Sequence, residues 1–488
     1  MHDVHSLFLL VPLLAPALTA VLVLGLGRWP NVREGIQVLG AVATFLASLS
    51  LAPHVIAGGT WSLPLFELLP GASITLRVDG MSLLFALTSS FLWILACFYC
   101  VGYMRGLNEH AQTRFYVCYS ATIFSAVFVA FSGTLLTLYL GYELVSIFTY
   151  PLVMHHQDLD AYDGSRKYIT YLMTTSKLLL LPALVLTYVL TGNLDFATNV
   201  TSGIFPATAS RALVTAIYLM SLFGYAKAAI MPLHSWLPSA MVAPTPVSAL
   251  LHAVAVVKVG VFSICRVMLY AFGVDFLSRS GLGLVTAYLA SFTILLGSVI
   301  ALTKNNLKAR LAYSTISQLS YIILGVALLT PSGITGGLIH IPNHAFSKIT
   351  LFFAAGAIMV AHRKTEISDM DGIGIQMPFT MAAFALASLS MIGVPPVAGF
   401  ASKWYLAIGA MQLPSLGILI VLLLSSILNA GYFAPIVYRA FFPKNGAAGI
   451  KFAEASPYMV VPLFLTSLLS VAFGLYPNFF LKLIEVVK

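Results

Sequence analysis

The sequence predicts an all-α integral membrane protein of about fourteen transmembrane helices, two of them broken at corresponding places. Three observations carry this. Of 488 residues 59% are hydrophobic and only 8% are charged, where a soluble domain carries about 25% charge. Apolar runs of the roughly 20 residues needed to cross a bilayer recur from Leu7 to Val487. Prolines cluster at two places along these runs, and the connections are short.

The runs read as spans near 7–27, 35–56, 81–103, 114–132, 134–154, 168–191, 210–231, 246–272, 281–303, 311–330, 334–361, 378–402, 414–438 and 457–481. The first follows Met1-His2-Asp3, which lacks a basic cluster. More spans follow it directly, so it reads as a retained span and not a cleaved leader. The polar stretch 57–79 is expected to be the main early loop. Four cysteines, Cys97, Cys100, Cys118 and Cys265, lie in apolar segments. They read as packing residues, with no disulfide framework and no metal site.

The net charge of +9 sorts by topology and does not point to nucleic acid. Arg28, Arg33, Arg105, Arg114, Arg166, Lys167, Lys304, Lys308, Arg310, Arg363, Lys364, Arg439, Lys444 and Lys451 fall in loops on one side. Arg77, Arg211, Arg279, Lys482 and Lys488 fall on the other. The positive-inside rule puts the richer side in the cytoplasm and both termini outside, in a cell inner membrane.

One broken segment runs through Pro232, Pro238, Pro244 and Pro246; the other holds Pro395-Pro396 and Gly399. Proline removes a helical hydrogen bond and clashes with the preceding turn. Unwound backbone at membrane depth persists only where protein or a wet cavity covers it. Breaks in corresponding positions of two halves point to inverted repeats with an ion path between them; the bland alternative is kinks that only shape packing. Lys227 precedes the first break and Lys403 follows the second. The division expected is a three-helix segment 1–110, repeats at 111–275 (spans 4–8) and 276–440 (spans 9–13), and a C-terminal helix 441–488.

Of sixteen acidic residues, Glu143 alone falls in the middle of a span. An unpaired buried carboxylate costs several kcal/mol, so it pairs or takes a proton, and ionisable groups inside spans are functional candidates. The intramembrane bases are Lys177, Lys227, Lys258, Lys348 and Lys403, with Lys308 near a span end and Arg266 in span 8. A desolvated lysine can give up and regain a proton, which arginine cannot, so a string of lysines suits a proton relay. For any one lysine the alternative is snorkelling to the interface. His252 precedes Lys258. His340, His344 and Lys348, at four-residue steps, share one helix face; the rival for the two histidines is a metal or haem pair. His155 and His156, beside Asp158, Asp160 and Asp163, read as solvated.

These residues lie in long motifs. They are Lys227–Met241 (KAAIMPLHSWLPSAM), Pro244–His252 (PTPVSALLH), Lys308–Gln318 (KARLAYSTISQ), His340–Lys348 (HIPNHAFSK), Gly393–Lys403 (GVPPVAGFASK) and Gly141-Tyr142-Glu143. Together they resemble the antiporter-like, proton-translocating membrane subunits of respiratory complex I, of Mrp-type sodium/proton antiporters and of membrane-bound hydrogenases, over nearly the whole chain. The resemblance implies fourteen spans in two inverted five-helix repeats. It implies a Glu143–Lys227 pair, a link through Lys258 with His252, His340, His344 and Lys348 between the halves, and Lys403 opening to the outer side. Lys177 has no matching motif. The chain stops soon after span 14, without the long lateral helix of the largest complex I subunit of this type. Lysine at both 258 and 403 is closer to the Mrp type.

The expected function is a proton-translocating subunit, with its driver open among a sodium gradient, a redox or hydrogenase arm, and carbon-dioxide hydration. Expected partners are other membrane subunits, the lipid bilayer, protons and, as an open second ion, sodium. No cofactor is expected, since there is no cysteine cluster and no glycine-rich strand–helix loop; any redox chemistry belongs to partners. The rivals are a stand-alone transporter of an organic solute and a quinone or haem enzyme.

Overall fold

A computed structural model describes residues 3–444 and 451–487, the side chains of Leu251 and His252 excepted. The chain is mostly helical. Ten helices among the described residues are long and apolar enough to cross a membrane, or eleven if Val256–Phe272 and Val274–Ser280, bent by 88°, count as one broken span. We number the principal helices α1 (Val11–Gly25), α2 (Pro30–Ser50), α3 (Gly80–Gly106), α4 (Gln112–Ala130), α5 (Leu135–Val153), α6 (Leu159–Thr191), α7 (Arg211–Gly224), α8 (Val256–Phe272), α9 (Leu282–Thr303), α10 (Leu307–Ala327), α11 (Pro331–His362), α12 (Pro378–Ile392), α13 (Ala398–Met411), α14 (Gly417–Phe441) and α15 (Pro457–Leu475). Every run read as a span is helical over most of its length. Helices α7 and α12 are short because each ends at a break.

Local chemistry sets where these helices start. Asp79, Thr134, Asp158, Asn306 and Thr330 each accept a hydrogen bond from a backbone N–H of the first turn of α3, α5, α6, α10 and α11. Such caps satisfy N–H groups that have no partner within the helix. At α11 the cap is followed by Pro331, whose missing N–H costs nothing there. The faces of α1, α6 and α14 that point away from the protein carry exposed Leu18, Val21, Val189, Leu423 and Ile427, as expected of helices solvated by lipid. Helix α11 is buried in the centre, packed against α3, α10, α12, α13 and α15.

One expectation needs correction. The stretch 57–79, expected as the main early loop, is mostly strand. Asp3–His5 (β1), Thr60–Leu69 (β2) and Ala72–Val78 (β3) form a sheet in which β1 runs parallel to β2 and β2 antiparallel to β3. Irregularities at Pro64/Phe66 and Glu67/Leu69 shift the β2–β3 register, which blurs the alternation that identifies a strand. The sheet is tied to helix ends: Arg77 N donates to Phe131 O at 2.7 Å and Leu194 N to Gly71 O at 2.9 Å.

The two breaks are where the prolines placed them. After Gly224 the chain leaves the helix for a tight turn at Ala226–Ala228, then short turns to Val242, and resumes as helix at Thr245–Ala249. The freed backbone groups find partners: Trp236 Nε1 donates to Ala226 O at 3.0 Å, and Lys227 N donates to Tyr142 Oη at 3.0 Å. Helix α8 can lie against this turn because Gly260 has no side chain. A Cβ there would come 2.2 Å from Ala228 N. The second break separates α12 from α13 at 393–397.

Candidate functional site

Glu143 sits midway along α5 and is 8% exposed. Its ion-pair partner is not Lys227, as the resemblance implies, but Lys177, with Nζ at 2.9 Å from Oε2. The same ammonium donates to Tyr139 Oη at 2.8 Å. Tyr139 and Glu143 are one helical turn apart and share a face. Lys177 reaches them from a widened turn in α6, Ser176–Leu180, where the N–H of Leu181 bonds back five residues to Ser176 O. Pro182 follows immediately. Its ring would clash with the carbonyl four residues back in a regular helix, and the widened turn relieves that. The lysine side chain is 51% exposed, so the pair lies at the edge of the helix bundle.

Lys227 lies in the first break and is fully buried. Its ammonium donates to Tyr142 O at 2.6 Å and stands 3.2 Å from the centroid of the Tyr142 ring. Tyr142 precedes Glu143, so the two neighbours on α5 serve the two lysines. Lys258, in α8 two residues before Gly260, is 1% exposed. Its Nζ shares a hydrogen bond of 2.8 Å with His344 Nδ1 on α11. This bond joins a residue of the first expected repeat to one of the second.

From His344 the row continues along α11. The His340 and His344 rings are 5.9 Å apart. His340 Nδ1 bonds Ser402 Oγ at 2.7 Å and its Nε2 faces the Gln318 side-chain amide at 3.0 Å. His340 also lies 5.6 Å from the Tyr321 ring, and the Lys403 ammonium lies 5.1 Å from that same ring. Lys403 donates to Met391 O at 2.9 Å, Ile392 O at 2.8 Å and Ser426 Oγ at 3.2 Å. The stem of Lys403 runs over Gly393, whose φ of +92° and missing Cβ leave it room.

Two further sequence candidates stand off this row. Lys348 is fully buried and donates to Ser314 Oγ and to Leu311 O at 3.2 Å. Lys308 is half-buried and donates to Ala243 O at 2.7 Å, tying the start of α10 to the end of the first break. The side chain of His252 lies outside the described residues. Lys258 thus bonds His344, His340 lies beside His344 on α11, and Lys403 stands on the Tyr321 ring that His340 also flanks. Sequence reasoning left Lys177 without a role and missed Tyr139, Gln318 and Ser402. A signal existed for Tyr139, four residues from Glu143, and for the turn at Lys177, in Pro182.

Arg266 has another role. Buried in α8, it pairs with Asp79 Oδ2 at 2.5 Å, and its guanidinium packs 4.6 Å from the Tyr270 ring centroid. That pair ties the first turn of α3 to α8 and touches no lysine of the row. A second correction concerns the loop at 155–156. His155 is not solvated: it is fully buried, beside Glu109. Burial alone would raise the Glu109 carboxyl, but the imidazoles of His155 and His156 outweigh this and hold it down at about 2. Glu109 raises His156 in turn, whereas burial lowers His155.

Residues 132–429, which hold every member of the row from Tyr139 to Lys403, match the family described as NADH:quinone oxidoreductase/Mrp antiporter, TM. The chain belongs to this family. Among its relatives, it is 30% identical over 463 residues to NADH-quinone oxidoreductase subunit N of Desulforudis audaxviator, covering 90% of both chains. It is 34% identical over 407 residues to a probable K(+)/H(+) antiporter subunit of Rhizobium meliloti, covering 82% of this chain but only 39% of that longer one. Its fold superposes on a chain of the Mrp complex from Dietzia sp. with a TM-score of 0.87 at 22% identity, over 99% of this chain and 97% of the other. A chain of the archaeal membrane-bound sulfane sulfur reductase gives 0.86 at 23%, with the same coverage. The protein is a multi-pass membrane protein of the antiporter-like class. None of these relatives supports a stand-alone transporter of organic solutes.

Proposed function

We propose that the chain moves protons across the membrane as one member of a multisubunit ion-pumping complex, through the row Glu143–Lys177, Lys227, Lys258, His344, His340 and Lys403. The observation that carries this is the Lys258–His344 hydrogen bond at the centre of the molecule. It links two halves that each contain a broken helix and a lysine bonded to main-chain carbonyl oxygens.

The chemistry favours transfer over scaffolding. Among the described residues, Lys227, Lys258, Lys348 and Lys403 have no carboxylate within 4 Å. They bond to carbonyls, hydroxyls, a ring face or an imidazole. An ammonium buried without a counter-charge costs several kcal/mol, which favours side chains that can shed the charge. Imidazole passes protons in either direction near neutral pH. Buried polar atoms without a protein partner lie among these groups: Glu143 Oε1, Gln318 Nε2 and Asn343 Oδ1. Such atoms are normally satisfied by ordered water, which would connect the row.

We read residues 111–275 and 276–440 as two inverted five-helix repeats within fourteen spans, with both termini on the outer side of a cell inner membrane. The partners are other membrane subunits, and the driver is a cation gradient or a redox, hydrogenase or carbon-dioxide-hydrating arm. The test is proton movement by the assembled complex in vesicles. Glu143→Gln and Lys227→Ala should each lower it by about 100-fold, the scale of losing a positioned proton-transfer group, with assembly intact. Full activity in either variant refutes the proposal.

A further inference from the structure

Away from the row, the loop between α3 and α4 meets the loop between α5 and α6. We infer that these two loops form a binding site for a divalent transition-metal cation of the Zn2+ type, held by Glu109, His110 and His155, with His156 at its edge.

One ligand atom from each of Glu109, His110 and His155 can be drawn within 4.8 Å of the others. His155 Nε2 is 3.6 Å from Glu109 Oε2, and His156 Nε2 is 3.4 Å from Glu109 Oε1. The second is a long hydrogen bond, and the first is longer than a charge-assisted hydrogen bond of about 2.7–2.9 Å. They approach the edge of a tetrahedron of ligands around zinc, about 3.3 Å for bonds near 2.0–2.1 Å. The His110 and His155 rings lie 4.9 Å apart, tilted by 33°.

A second observation is independent of the clustering. His155 is completely buried, its Nδ1 has no hydrogen-bond partner, and its Nε2 meets the Glu109 carboxylate only at 3.6 Å, beyond hydrogen-bond distance. Buried polar groups are almost always satisfied, and ligation would satisfy one of these nitrogens. The loops are also built to present the set. Asn108 and Ala111 both adopt positive φ, 52° and 48°, turning the chain sharply on either side of Glu109-His110. Glu109 N donates to Met104 O at 2.9 Å, and Gln112 Nε2 to Glu109 O at 3.1 Å. Arg114 Nη2 donates to His155 O at 2.9 Å, fixing the other loop. Arg114 and Lys308 bring positive charge to the neighbourhood and Asp158 brings negative. Imidazole nitrogens with one carboxylate select zinc-like ions over calcium or magnesium, which prefer all-oxygen sites. His110 is exposed, so an ion can enter from solution. It would clamp the start of α4 to the end of α5, the helix that carries Glu143.

The probe is ZnCl2 titrated calorimetrically into the full chain, purified without a polyhistidine tag and stripped with chelator. Co2+ absorption reports the geometry. One equivalent should bind with micromolar or tighter affinity, and Co2+ should give a tetrahedral spectrum. His110→Ala, at an exposed site, and Glu109→Gln, which keeps the size and shape of the side chain, should each weaken binding by more than about 100-fold, beyond the loss typical of an outer-shell partner. His362→Ala, at a half-buried histidine elsewhere, should leave it unchanged. Absence of tight binding, or binding indifferent to both ligand variants, overturns the site.

Discussion

The two broken helices solve one problem in different ways. In the first half the lysine lies in the break itself, and the helix beside it supplies both a carbonyl and a carboxylate: Lys227 bonds Tyr142 O while the next residue, Glu143, pairs with Lys177. In the second half the lysine lies beyond the break. Lys403 turns back to the carbonyls of Met391 and Ile392, the last two residues of α12. Those oxygens have lost their helical donors and stand at the negative end of the helix dipole. In the first half a main-chain carbonyl likewise holds Lys227, and the carboxylate is held by the neighbouring Lys177. The row is therefore acid–base at one end and base–dipole at the other, with imidazole between. Its acid end can be neutralised by a proton; its dipole end cannot.

That contrast can be broken most severely at Lys403. Lys403→Met should reduce proton movement by the reconstituted complex about 100-fold. Lys403→Arg sharpens the point, because arginine keeps the charge against the α12 carbonyls but does not release its proton. Equal loss in both variants supports proton release at this position; recovery with arginine would make it a static clamp. A smaller effect is expected from the lysine of the acid end. Lys177 is half exposed, and an ion pair of that kind is worth about 1 kcal/mol or less. Lys177→Ala should slow proton movement by no more than roughly fivefold, measured in the same vesicles. The smallest effect on transport belongs to the buried pair outside the row. Asp79→Asn should leave proton movement unchanged while lowering stability by about 3–5 kcal/mol, the cost of stranding one partner of a buried ion pair, read by denaturant melting in detergent.

What could be read from the residues alone divides along physical lines. Glu143, Lys227, Lys258, His340, His344, Lys348 and Lys403 were legible because a titratable group in an apolar run stands out against its surroundings. The breaks were legible because proline forbids a regular helix wherever it lies. The pairing was not. Glu143 bonds Lys177 rather than Lys227, a choice made by the widened turn at Ser176–Leu180, of which Pro182 gives only an indirect sign. Gln318 and Ser402, which hold the two nitrogens of His340, are ordinary polar residues until α10 and α13 are packed against α11. The β2–β3 hairpin was hidden by Pro64 and two register shifts. Glu109 and His155 are distant along the chain, and only the approach of two loops brings them together.

The account's central claim is that one proton route crosses both halves through α11. Its most direct test is Lys258→Met, which keeps the length and apolar stem of the side chain but removes the group bonded to His344. Proton uptake by vesicles containing the assembled complex should fall to background while the complex remains whole. Uptake at the unaltered rate would contradict a route through the centre of the molecule.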